Sequence, residues 1–183
     1  KHLYQNDKVI SAVCHGPAAL VNVKLDNGEW FANNKNISAF TNEEELFLIP
    51  DAETVFPFLL QDKLSEQGAN FQAGLTYLEQ VVHDKKLLTG QNPWSVWLVA
   101  ESMIEQLGYL PVKRQITAEE NTLSIITTYE DEGIQQAKAK ITSMLSNQNQ
   151  SFDRILIAVH FSAYAMQGEL GKSIDMLRLL SFA

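Results

Sequence analysis

The chain has 183 residues, 45% of them apolar and 20% charged, the balance of a soluble globular protein with one domain or one domain plus a small addition. Its net charge of −8 argues against nucleic acid or an anionic membrane surface as the main partner, and no run approaches the roughly eighteen apolar residues of a membrane-spanning helix. A single cysteine excludes an internal disulfide framework and fits a reducing, cytoplasmic setting, and the four histidines show no metal-ligand spacing.

Lys1 to Asn6 reads as the last turn of a helix already under way, and no initiator Met precedes it. The chain is therefore expected to be the C-terminal piece of something longer. Lys8 to Cys14 is a short β-branched run of the kind found in a strand buried on both faces. Gly16-Pro17 then opens a helix over about 17–23, because the missing N–H of proline costs nothing in a first turn. Asn36 to Phe40 is a second strand. Thr41 or Asn42 can cap a helix that begins with Glu43-Glu44-Glu45, where the helix dipole favours acids. Phe56 to Leu64 is an amphipathic helix stopping at Gly68, and short strands are expected over 69–72, 80–83 and 87–90, with a turn at 84–86. A long helix runs from Pro93 to Leu107, with Gly108 as its C-cap. Strands alternating with helices indicate an α/β layered fold with a largely parallel sheet.

The character changes at Tyr109-Leu110-Pro111. Ile116 to Glu120 reads as a polar loop and Leu123 to Tyr129 as a β-branched strand. Helices follow over about 131–146, 153–167 and 170–181, with a hydrophilic joint at 146–150. Two parts result: an α/β part over 1–108 and a mostly helical α+β appendage over 109–183.

Cys14 stands at the strand-to-helix turn, with Ala12 two residues before it and Gly16 two after, a looser form of the glycine-flanked nucleophile elbow. The N-terminus of a following helix would favour thiolate and lower the thiol pKa below its usual value of about 8.5. The backbone N–H groups of His15 and Gly16 could steady an oxyanion, and the His15 ring could move protons. The competing reading is a small buried hydrophobe, since free cysteine is among the most buried residue types. His160 lies on an apolar helix and reads as a packed core histidine, and His83 beside Asp84 as surface. Trp94 and Trp97 read as core or interface, and Met166 and Met176 as apolar packing positions.

Four stretches, AVCHGPAAL, ISAFTNEEE, PFLLQDKLSEQGANF and LLTGQNPWS, occur in the order and spacing of the ThiJ/PfpI superfamily. Residues 1–108 thus resemble that superfamily, and within it the heat-shock chaperone/glyoxalase III branch; 109–183 do not. The resemblance implies a three-layer α/β/α sandwich with a flavodoxin-like, class I glutamine amidotransferase-like parallel sheet. Its first strands, an earlier glutamate and a glycine-rich oxyanion segment would lie in a missing N-terminal part of the same protein. It also implies Cys14 as nucleophile, His15 as its proton carrier and Glu45 as third, acidic residue, with Glu44 second in line. Gly90-Gln91-Asn92-Pro93 matches a turn packed near the site, Asn92 as a helix cap; Trp94 departs from the small residue usual there. The implied activity is conversion of a small reactive carbonyl, methylglyoxal to D-lactate, without cofactor or metal; a homodimer fits by resemblance alone. A stress-response chaperone and a cysteine peptidase or amidase are the alternatives.

Overall fold

The computed structural model describes residues 1–147 and 150–182. It divides the chain into two compact units, Lys1–Val112 and Lys113 onward. The joint expected at 146–150 falls partly on residues 148 and 149, outside the described residues.

In the first unit a short helix α1 (His2–Gln5) leads into strand β1 (Ile10–Val13). Next come β2 (Asn36–Ile37), helices α2 (Asn42–Leu48), α3 (Ala52–Val55) and α4 (Leu60–Glu66), strands β3 (Asn70–Phe71), β4 (Val81–Asp84) and β5 (Leu87–Gly90), and helix α5 (Val96–Gln106). Strand β1 pairs in parallel with β5, placing Val13 opposite Gly90, while β4 joins β5 antiparallel through a tight turn at Lys85-Lys86. Strands β2 and β3 form a second, parallel pair. The α/β class with parallel pairing is as expected. Around these strands Val21, Phe31, Ala32, Ile37, Ala39, Leu60, Leu64 and Leu87 form one buried apolar cluster.

Several local expectations need correction. Strand β1 is half-buried along its length rather than buried on both faces. The helix expected over 17–23 is a five-residue 3-10 turn, Gly16–Leu20, with Pro17 buried in its first turn. The helix expected from Phe56 starts at Leu60, because the residue before a proline is pushed out of the helical region; Phe56, ahead of Pro57, is extended at φ −95° and ψ 150°.

The second unit is helical: α6 (Ala118–Glu132), α7 (Ile134–Leu145), α8 (Arg154–Met166) and α9 (Leu170–Phe182). The strand expected over Leu123 to Tyr129 and the loop over Ile116 to Glu120 both belong to the α6 region. Thr117 and Glu120 form a reciprocal capping box, and Thr122, Ile125, Ile126 and Tyr129 are buried at helical spacing. Burial on one face outweighs the modest helix penalty of the β-branched residues. Gly133 at φ 88° then breaks α6 from α7. His160 is fully buried, its Nδ1 at 2.9 Å from the Leu156 carbonyl oxygen, the core placement read from the apolar helix. No helix among the described residues is long and apolar enough to cross a membrane.

Candidate active site

Strand β1 ends one residue before Cys14, whose backbone turns to φ 61°. That left-handed conformation costs a non-glycine residue about 1–3 kcal/mol, so its neighbours must hold it. They do so on both sides: the Cys14 N–H donates to the Gly90 carbonyl (2.9 Å), and the Cys14 carbonyl accepts from the Phe40 N–H (3.0 Å). The turn projects the half-buried sulfur from the end of the sheet, as a strand-to-helix elbow does. A Cβ added at Gly16 would meet only ordinary contact, 3.5 Å from Ala12 Cβ.

Beside the sulfur lies the His15 ring. Nδ1 stands 3.3 Å from Cys14 Sγ, and Nε2 stands 2.5 Å from Glu45 Oε2. A carboxylate at Nε2 favours the proton on that nitrogen, leaving Nδ1 as the acceptor facing the thiol. The ring rests on Phe40 at a centroid distance of 4.5 Å, while its side chain remains 52% exposed. Cys14, His15 and Glu45 are thus brought into one relay, sulfur to imidazole to carboxylate.

Glu44, next in sequence, points elsewhere. Its Oε1 accepts from the Tyr77 N–H (2.9 Å), Gln91 Nε2 (2.9 Å) and Asn92 Nδ2 (2.8 Å). Its Oε2 accepts from the Thr41 N–H and hydroxyl, both at 3.1 Å, completing a capping box at the start of α2. Asn92 occupies the N-cap position before Pro93 but makes no side-chain capping bond; its amide instead ties Glu44 to the Leu78 carbonyl. The turn after β5, the 76–78 loop and α2 therefore converge on one buried carboxylate. Trp94 meets Tyr77 edge to face, with ring centroids 5.3 Å apart. Tyr77 as an anchor of this hub is invisible in the sequence; Gln91 lies in the turn expected near the site, but no pattern announces Glu44 as its partner.

The electrostatics differ from the expectation of an activated thiolate. Burial pushes the Cys14 thiol pKa up, and the charges of Glu44 and Glu45 add to that, against a hydrogen bond from the His15 backbone that pulls it down. With only a five-residue 3-10 turn behind it, the helix dipole has little to offer. The resting sulfur is a thiol whose proton has an acceptor at His15 Nδ1. Among the described residues no cluster of three His, Cys, Asp or Glu side chains could hold a metal ion.

No protein-family model matches the chain. It is 32% identical over 108 residues to a probable glutathione-independent glyoxalase of Schizosaccharomyces pombe, a match covering 57% of this chain and 49% of that protein. Among solved structures it is similar to the 24 kDa Rapid Encystment Protein of Francisella tularensis (38% identity, TM-score 0.54, covering 58% of this chain and 46% of the other). It is likewise similar to glyoxalase III of Candida albicans (29% identity, TM-score 0.52, covering 57% and 45%). These similarities bear out the resemblance to the glyoxalase III branch read from the motifs. The chain spans about half the length of the curated relatives it matches.

Proposed function

From this similarity to glutathione-independent glyoxalases, we propose that the protein converts small 2-oxoaldehydes such as methylglyoxal, with one water, to 2-hydroxy acids, with Cys14 as nucleophile and His15 as proton carrier oriented by Glu45. The observation that supports it most is the relay from Cys14 Sγ through His15 Nδ1 and Nε2 to Glu45 Oε2 on a left-handed elbow. His15 Nδ1 takes the thiol proton as sulfur adds to the aldehyde carbon, and the former carbonyl oxygen picks up that proton to give a hemithioacetal. The imidazole next removes the proton on that carbon and returns a proton to the neighbouring carbon. As the hemithioacetal hydroxyl gives up its proton and the ketone oxygen takes one, the ketone becomes an alcohol and the hemithioacetal carbon a thioester carbonyl. Water then cleaves the thioester, restoring the thiol and releasing the hydroxy acid. Oxidation of one carbon balances reduction of the other, so only water is consumed. Glu45, in contact with His15 Nε2, holds the imidazole in orientation through these transfers.

Lactate formation from methylglyoxal, followed for the protein and two variants, tests this reading. Cys14→Ala should abolish it, and Glu45→Gln should lower kcat by about 10²–10⁴-fold, the span of positioned acid–base catalysis. Lactate formation that survives Cys14→Ala, or no lactate from the unaltered protein, would sink the reading.

A further inference from the structure

Against the His15 side chain lies a cavity of about 170 Å³. Ala18, Phe56, Pro57, Phe58 and Leu60 line it together with His15 and Glu45. The lining is almost wholly apolar. Phe56 and Phe58 are 38% and 37% exposed, which is costly for rings of that size unless something covers them. Pro57 keeps Phe56 extended and ahead of α4, and both rings line the pocket.

Resting on the proposed glyoxalase chemistry, we propose that this cavity holds the substituent of the 2-oxoaldehyde and selects an uncharged aromatic or bulky alkyl group over the methyl of methylglyoxal. His15 links the two places: its Nδ1 stands 3.3 Å from Cys14 Sγ and its side chain lines the cavity, so a substrate carbon bonded to the sulfur lies within one imidazole of the pocket and its substituent runs past the ring into it. Size fixes the class. An apolar cavity of about 150 Å³ lined by aliphatic and aromatic side chains accepts one benzene molecule, whereas a methyl group would leave such a space largely unfilled. Glu45 in the lining repels a substituent that carries a carboxylate of its own. A missing methylene in an apolar pocket costs about 10–200-fold in kcat/KM, so a phenyl group in this solvent-open cleft should gain at least about tenfold over methyl.

The experiment compares kcat/KM for phenylglyoxal and methylglyoxal in the protein, in Ala18→Leu, which fills the pocket, and in Phe56→Ala and Phe58→Ala, which strip its walls. In parallel, calorimetric titration compares mandelate with lactate, the corresponding products, so that the pocket is read without turnover. The expected result is a phenyl-to-methyl ratio of at least about ten in both measurements, falling several-fold in Ala18→Leu and in the phenylalanine variants. Turnover of methylglyoxal with a ratio near one, or a ratio unmoved by all three variants, overturns the inference and leaves the glyoxalase reading standing. No turnover of either oxoaldehyde, with mandelate still bound at least tenfold more tightly than lactate and the preference lost in the variants, upholds the pocket and refutes the glyoxalase reading. No turnover and no mandelate preference refutes both.

Discussion

Replacing Glu44 by glutamine exchanges one carboxylate oxygen for an NH₂ group at the point where α2, the 76–78 loop and the turn after β5 meet. The carboxylate accepts five hydrogen bonds, three on Oε1 and two on Oε2, and the residue is fully buried. A glutamine placed with its oxygen toward Tyr77, Gln91 and Asn92 turns its NH₂ on the Thr41 N–H, donor against donor. The flipped amide meets three donors instead. The first orientation is cheaper, because the Thr41 hydroxyl can rotate to accept; the Thr41 N–H then stays buried without a partner. One lost charge-assisted bond with a stranded donor costs roughly 2–4 kcal/mol. At about 4 °C per kcal/mol for a unit of this size, thermal unfolding of the first unit should move down by about 8–16 °C. The same substitution removes one of the charges that hold the Cys14 thiol pKa up. Alkylation of Cys14 by iodoacetamide, which follows the thiolate, should therefore begin at lower pH in Glu44→Gln and be faster at neutral pH. Calorimetry and the pH profile of alkylation read the two effects separately. A midpoint within about 2 °C of the unaltered protein would refute the anchoring role, and an unmoved profile would refute the electrostatic one.

Gly90→Ala should destabilise the first unit by about 1–3 kcal/mol, read by thermal unfolding, because an added Cβ would lie 2.8 Å from Ser95 Cβ and 2.9 Å from Val99 Cγ2. It should also slow Cys14 alkylation, since Gly90 holds the Cys14 N–H. In the second unit, the Arg114 guanidinium beside Glu120 holds that carboxyl below its usual range. A depressed folded-state pKa means the stabilisation is complete above the ordinary glutamate range and is lost as pH falls through the lowered value. Acid titration by far-UV circular dichroism should show Glu120→Gln unfolding at a pH-independent midpoint over the window in which the unaltered protein weakens. Equal acid sensitivity in both would refute the linkage.

The elbow is legible in the sequence because its requirements are local. A β-branched strand, a cysteine between small residues, an adjacent histidine and a Gly-Pro step lie within ten consecutive residues, and each constrains the backbone through its own sterics. The acidic start of α2 is equally local, since Thr41 and Glu44 announce a capping box by their spacing. Local pattern fails where burial outweighs propensity: the β-branched run from Leu123 to Tyr129 reads as a strand, yet its one-sided apolar spacing and the cap at Thr117 make it helix. It fails again at the thiol, where a helix dipole predicted from Gly-Pro gives way to desolvation behind a five-residue turn. Residues far apart in the chain depend on tertiary structure altogether. Which of two neighbouring glutamates faces His15 is a matter of how α2 is rotated. That rotation is held by Tyr77, Gln91 and Asn92, whose donors converge on Glu44 and leave Glu45 turned to the imidazole. Composition and spacing determine that a cysteine, a histidine and a cluster of acids are present. Only the packing of three separate segments around one buried charge decides their distances, because a buried carboxylate must collect its donors from wherever the fold supplies them.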